Sequence, residues 1–422
     1  LKKEELLSTI LASLENGNEN VLLHIQDKKI QIDCIISDFK NYFGFSFDHC
    51  DFTIKNLSFN ILNNTSKNKS ISFNSCKFDT SFFLELSNLN QVNISDCSVK
   101  NNNYKTITIE DSNVDYLTIQ HNPNNKIEAP NYHFEKVNLH SLLIKNIDSK
   151  NSIRFTKPNN IIERQLQIDN CSFESISLFD ITLNGRGIIK NVVKTNSFYA
   201  HNLTINKTIN INNNKFKKMT FDDCFFYGNT SMQDNHVDKI ELKDTFFSLP
   251  PFLDNLQTNI SNYNANDIKT VRTIKQQLQK TENRIDYDKF RSYELELYKK
   301  ELQSTKKWWN GDLLILKLNS LFSNHGTSWG KALKMTLLFA FGFYSILYFV
   351  KNWQNEFDII NGFNHFTSGY FKFMLVTNFY DPLSEKREFL SRFVEWIPFI
   401  FGKVFIGYGL YETIQAFRKY RK

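Results

Sequence analysis

One eight-residue phrase is written five times in the first 226 residues: FSFDHCDF (45–52), ISFNSCKF (71–78), VNISDCSV (92–99), LQIDNCSF (166–173) and MTFDDCFF (219–226). Each copy opens apolar–polar–apolar, passes a small polar pair, and places a cysteine before the next apolar residue. Marking every apolar–x–apolar start gives a series at Phe45, Ile71, Val92, Leu117, Leu142, Leu166, Ile188 and Ile209, with steps of 21 to 26 residues. A second series lies about halfway between, at Leu57, Phe82, Ile107, Tyr132, Ile153, Ile176, Phe198, Met219 and Ile240, with steps of 21 to 25. Ile188, Tyr132 and Phe198 are the weakest members.

Two interleaved series with one period imply at least two short strands per turn of a solenoid. Alternation puts Val92 and Ile94 inside and Asn93 outside. The Asp, Asn or Ser that follows suits a corner, where a short side chain bonds nearby backbone. A tight inward slot comes next, held by Cys97, Ser112, Cys171, Asn214, Cys224 and Thr245, and stacking aligns these into ladders. No coil buries its apolar face alone, so the next must repeat it. The expected architecture is mainly β: a parallel β-helix over residues 30–255, of roughly ten coils at about 4.8 Å each. The pattern resembles pentapeptide-repeat and right-handed β-helix proteins. Its steps are longer and less even than a strict five-residue repeat, which favours an irregular right-handed β-helix over a degenerate pentapeptide solenoid.

The six cysteines stand at 34, 50, 76, 97, 171 and 224, and five share the slot after the corner. That is the placement of small buried thiols rather than of a disulfide framework. With no C-x-x-C or H-x-x-x-H spacing, no metal and no cofactor is expected. Residues 1–29 read as a short amphipathic N-terminal helical cap, not as a secretory leader.

The phrase stops after SLPPFLDN (248–255), where Pro250 and Pro251 mark a boundary. A helical connector is expected over 262–330: NDIKTVRTIKQQLQK and IDYDKFRSYELELYKKELQ carry apolar residues at helical spacing, separated by the turn TEN (281–283). KKWW (306–309) sets cations beside Trp308 and Trp309, a composition common at lipid headgroups and also at packed helix ends.

The last quarter, 331–422, changes character. Ala332–Val350 is 19 residues with one charge, Lys334, long enough to cross a bilayer core. Lys331 and Lys334 can extend toward headgroups. A second span is expected over about 393–415; it carries Glu395, Lys403 and Glu412. Lys403 is either a functional charge at membrane depth or a lysine reaching for an interface. Between the spans, the apolar stretch at about 363–381 is too short to cross; it reads as a re-entrant segment, with an interfacial helix as the alternative. Lysines before the first span and Arg418, Lys419, Arg421 and Lys422 after the second place both ends in the cytoplasm, the expected setting being a membrane crossed twice.

Four stretches carry a second resemblance: FRSYELELYKKEL (290–302), SNHGTSWGKAL (323–333), GYFKFMLVTNFYDP (369–382) and GKVFIGYGLYETIQAFRKYRK (402–422). In this order after a solenoid, they are similar to bacterial proteins that join a pentapeptide or β-helix solenoid to a two-span, ion-channel-like module. The resemblance implies a homo-oligomeric pore, a tetramer being one option, with a ligand or protein partner on the solenoid. It nominates Thr367, Ser368, Thr377, Asn378, Tyr380, Asp381 and Lys403 as pore-lining candidates. Trp308, Trp309, Lys331, Lys334, Arg418 and Lys419 are the candidate interface anchors. VTNFYDP lacks both glycines of a T-V-G-Y-G filter, so the likeness stops short of potassium selectivity.

The principal expectation is therefore a channel or pore with a cytosolic β-helix sensor; the alternative is a membrane-anchored scaffold that does not conduct. An enzyme is not expected. Asp48, Asp96, Asp169 and Asp222 recur at one corner per coil, whereas catalytic acids cluster about one bond. The net charge of +7 belongs largely to membrane-proximal segments, so no nucleic-acid partner is expected.

Overall fold

The computed structural model describes residues 21–418, apart from 27, 31–33, 38–41, 54–55, 61–68, 101–104, 123–127, 307–309, 353–358 and 385–386. The expected N-terminal helix lies outside the described residues over 1–20. Val21–Gln26 is already a strand of the solenoid, pairing Leu23 with Phe45 and Ile25 with Phe47.

The chain divides into two compact units that meet in sequence near Tyr263, with Gln276–Glu282, the end of the first helix and its turn, grouping with the first unit. The first is a parallel β-solenoid of about nine turns, against the ten expected. Every strand pair is parallel, each strand bonding to its counterparts in the coils before and after it. The second series is reproduced residue for residue from Phe82 onward. Phe82, Ile107, Tyr132, Ile153, Ile176, Phe198, Met219 and Ile240 are successive partners. Tyr132 and Phe198, weak by residue type, are in register and fully buried.

The first series slips once. Leu166 pairs with Gly187, and Gly187 with Ile209, so Gly187 and Ile189 hold the inward positions and Ile188 is only half-buried. A one-residue slip moves every side chain to the other face. The coil narrows at this point: a Cβ on Gly187 would meet Ile209 Cγ1 at 2.8 Å. An inward glycine fits where a larger residue cannot.

Two series understate the cross-section, because a third ladder follows the corner. It runs Leu89, Val114, Leu139, Ile162, Leu183, Ile205, Phe226, Phe247. A separate ladder joins Ile30, Phe52, Phe78 and Val99 in the early coils. Stacked coils also stack their rings: Phe134 on Phe155 at 4.5 Å, Phe226 on Phe247 at 4.9 Å, and Phe52 on Phe78 at 5.0 Å. Each such pair adds about 0.5–1.5 kcal/mol beyond its buried area.

The corner chemistry explains the repeated phrase. Asp96, Asn146, Asn170, Asn191 and Asn213 all have left-handed backbone, with φ between 51° and 57°. Asn and Asp tolerate that region better than other side chains with a Cβ. Their amides also bond across coils, as Asn170 Nδ2 does to Asn146 Oδ1 at 2.9 Å. The next residue turns inward and donates to a carbonyl of the preceding coil. Cys50 Sγ reaches Ile25 O at 3.3 Å, Cys76 reaches Phe47 O at 3.2 Å, and Cys97 reaches Phe73 O at 3.4 Å. Asn214 Nδ2 and Thr245 Oγ1 do the same to Ile189 O and Phe221 O, at 2.9 and 3.2 Å. The slot demands a small donor, which is why Cys, Thr and Asn interchange there. Burial pushes the thiol of Cys171 up to about 12 and that of Cys224 up to about 11. These five cysteines are free and buried.

The second unit is helical. Helix α1 spans Ile268–Lys280, α2 Arg284–Thr305, α3 Gly311–Ser323, α4 Trp329–Asn352, α5 Ile359–Met374 and α6 Phe393–Arg418. Asn283 and Asn310 cap α2 and α3 by accepting from the backbone of Asp286 and Leu313. Glu294 on α2 accepts from Arg272 at 2.8 Å and Lys275 at 2.5 Å, tying α2 to the start of α1. Helix α3 lies within the expected connector over 262–330, where the two helical stretches read from spacing did not include it.

Candidate functional site: the two-span module

Helices α4 and α6 are the two described helices long and apolar enough to cross a membrane. Only 22% of the most apolar window of α4 and 39% of that of α6 is buried, whereas the core helix of a soluble protein would be mostly covered. Leu338, Phe341, Phe349, Phe401, Val404 and Ile414 are each more than half exposed on their outer faces.

Where α4 and α6 meet, small residues let the backbones approach. Ala332, Thr336 and Ala340 are buried at four-residue spacing on α4. A Cβ on Gly409 of α6 would meet Thr336 Oγ1 at 2.0 Å. Pro398 lies in the second turn of α6, where it removes the bond that an N–H would make to the carbonyl of Val394. Glu395 sits in the first turn, where the helix dipole favours a carboxylate.

Helix α5 docks on both spans. Gly369 allows Tyr344 of α4 to lie against its backbone: a Cβ there would meet the tyrosine oxygen at 2.1 Å. Tyr370 donates to Leu337 O at 3.1 Å, and Phe373 packs edge-on against Phe399 of α6 at 5.8 Å. At 16 residues, α5 is roughly 24 Å long, short of the ~30 Å hydrocarbon core. The chain then returns irregularly through Leu375–Asp381.

The pore candidates fall into distinct settings. Thr377 and Tyr380 are exposed, as is Ser368; Thr367 is half-buried and bonds its own helix at Phe363 O. Asn378 is half-buried and accepts from Tyr380 N at 3.1 Å. Asp381 is buried: it forms an ion pair with Lys351 at the end of α4 and accepts from Leu383 N at 2.9 Å. Lys403 points into the hairpin, its ammonium donating to Phe373 O at 2.8 Å and Leu375 O at 2.6 Å. Thus Asp381 and Lys403 fix the two ends of the segment that holds Thr377, Asn378 and Tyr380. Of the anchors, Lys334 and Arg418 are exposed, while Lys331 bonds Ser320 O at 2.8 Å and Asn324 Oδ1 at 2.5 Å. Trp308, Trp309 and Lys419 lie outside the described residues.

A polar junction at the approach to α4 was not foreseen. Asn324, His325 and Gly326 are three successive left-handed residues, with φ of 50°, 58° and 79°. Such backbone persists when its surroundings over-determine it. Ser323 Oγ accepts from Gly326 N at 2.7 Å and donates to Glu412 of α6 at 2.5 Å. His325 Nε2 lies 3.2 Å from Glu296 Oε2 on α2, and Lys299 Nζ lies 2.6 Å from the same oxygen. Burial holds the His325 imidazole below its ordinary pKa, with Glu296 opposing. Burial raises Glu296, but Lys299 and His325 together bring it below the usual carboxylate range. The junction therefore links α2, the α3–α4 turn and α6. Its only sequence signals were Glu412, a charge in an apolar span, and the SNHG turn.

In the solenoid two His–Asp–Tyr sets occur among the described residues: Tyr199 Oη donates to Asp222 Oδ2 at 3.0 Å with His201 Nδ1 3.5 Å from the same oxygen, and Asp96, His121 and Tyr132 lie together. His121 Nε2 stands 3.2 Å from Tyr132 Oη, and its Nδ1 lies 3.9 Å from Asp96. Tyr132 is fully buried, so its hydroxyl faces the core, and burial holds His121 below its usual range. Among the described residues no group of three or more His, Cys, Asp or Glu is placed to hold a metal ion.

Comparison with protein-family models, curated proteins and solved structures finds no match to this chain. The functional reading therefore rests on the module's geometry.

Proposed function

We propose that this chain is a membrane-anchored β-solenoid whose two-span module assembles from several copies into a pore, with the solenoid as a cytosolic sensing or binding rod at a bacterial inner membrane. The observation that carries this reading is α5: a helix too short to cross, docked between two helices that can, and followed by an irregular polar return. Non-helical backbone at membrane depth is tolerated where protein or a water-filled cavity surrounds it. A simple anchor needs no such insert. In this reading Thr377, Asn378 and Tyr380 line the path, and the protein is not an enzyme: Asp96, His121 and Tyr132 stabilise the stacking of neighbouring coils. Planar-bilayer recording of the purified, reconstituted chain tests it. Discrete conductance steps are expected, and persistent silence across voltage, pH and ionic conditions contradicts it.

A second reading, a non-conducting anchored scaffold, is favoured by the engagement of Asp381 and Lys403 within the hairpin. In that case an unrelated two-span anchor in place of 329–418 would preserve the protein's cellular effect. The pore reading expects the effect to be lost.

A further inference from the structure

Lys403 does more than neutralise a cost. The residue is 7% exposed, and its ammonium meets two main-chain carbonyls, Phe373 O and Leu375 O, at 2.8 and 2.6 Å. It also stands 5.2 Å from the ring centroids of both Phe373 and Phe399. The carbonyls straddle Met374, the last residue of α5. The final turn of a helix leaves carbonyls without intrahelical donors and gathers partial negative charge. Two carbonyl oxygens and two aromatic rings around one positive charge form a cation site, in which carbonyls replace water and ring quadrupoles supplement them. Gly402 completes the approach: a Cβ there would meet Phe373 Cζ at 2.4 Å, so the last turn of α5 lies directly on α6.

We propose that the carboxy-terminal end of α5 is a built site for a desolvated monovalent cation, and that Lys403 is its tethered occupant. The lysine holds α5 in register against α6 and excludes inorganic cations from the carbonyls beside the polar return. Without it, those carbonyls form a vacant site for a small cation with N–H donors or a compact alkali ion. A quaternary ammonium, bulky and without donors, does not fit. This inference deepens the pore reading by naming what the module keeps away from its polar return. It rests on the docking of α5, which that reading shares, and not on conduction.

The test uses the full chain in detergent micelles, with melting followed by intrinsic fluorescence and the last turn of α5 followed by hydrogen exchange. Wild type, Lys403→Ala and Lys403→Met are compared at equal ionic strength in ammonium, methylammonium, potassium or choline chloride. Lys403→Ala is expected to melt about 5–10 °C lower in choline. Ammonium or methylammonium restores at least half of that loss, while wild type responds equally to all four salts. Lys403→Met fills the space with an apolar chain, so it keeps the fold even if the alanine variant does not. Its residues 371–375 are expected to exchange about tenfold faster than in wild type, with no rescue by any cation. Wild-type protection in Lys403→Met, or a Lys403→Ala deficit that no cation relieves selectively, overturns the proposal. Silence in bilayers with rescue intact counts against conduction alone.

Discussion

The two units place polar groups in their interiors by opposite means. In the solenoid the same device is used coil after coil: a left-handed small polar residue, then a small donor bonded to a carbonyl of the coil before it, as at Ser75–Cys76, Asp96–Cys97 and Asn213–Asn214. In the helical unit buried charges are met one at a time by particular side chains or carbonyls, and the buried Tyr344 hydroxyl has no hydrogen-bond partner among the described residues. Lys403 meets the end of α5, Glu412 meets Ser323, and Asp381 meets Lys351. Parallel strands must find hydrogen bonds in their neighbours, so every coil imposes one pattern on the next. Helices satisfy their own backbones, which leaves side-chain polarity free to specify single contacts. Damage should therefore stay local in the solenoid, while in the helical unit it should loosen helix against helix.

The largest expected effect tests that locality. Phe134 is fully buried and stacks on Phe155, and Phe134→Ala should cost about 3–5 kcal/mol. Hydrogen exchange should rise in the flanking coils and leave α4 and α6 protected; uniform loss of protection would break the comparison. Next is Gly409→Val, whose side chain would enter the space of Thr336 Oγ1 and cost about 1–3 kcal/mol by overpacking. Thr336→Ala should recover part of it in a double-mutant cycle read by melting in micelles, and strict additivity would deny that contact.

A smaller effect concerns pH. Because burial holds His325 below its unfolded value near 6.5, its neutral form contributes stability above that pH and loses it as pH falls. Glu296, held low, keeps its contribution until pH drops below the ordinary carboxylate range near 4.5. Acidification from about pH 7 to 5.5 should thus lower the melting temperature of the helical unit through His325. His325→Gln should flatten that slope, and an unchanged slope would remove His325 from the account. Smallest is the thiol slot: Cys97→Ser should keep the bond to Phe73 O, while Cys97→Ala forfeits about 1 kcal/mol, measured by denaturant melts.

Much of the solenoid was readable because its chemistry repeats. Phe82 through Ile240 follow one another as partners at the positions periodicity assigned. The reading slipped at Ile188, where an inward glycine broke the apolar–x–apolar rule, and it missed the third ladder, whose residues follow corners of uneven length. The helical unit was readable in outline only. Length and hydropathy marked α4 and α6, and a charge in an apolar run marked Lys403 and Glu412, but neither signal names a partner. The Ser323–Glu412 contact joins positions 89 residues apart and occurs once, so no pattern announces it.

The central claim is that lipid surrounds α4 and α6. Alkaline extraction of membranes from cells expressing the full chain tests it most directly, because high pH strips proteins held by surface contacts and leaves spanning helices in place. The account predicts that the protein stays with the membranes and is released only by detergent; recovery in the aqueous extract would contradict it.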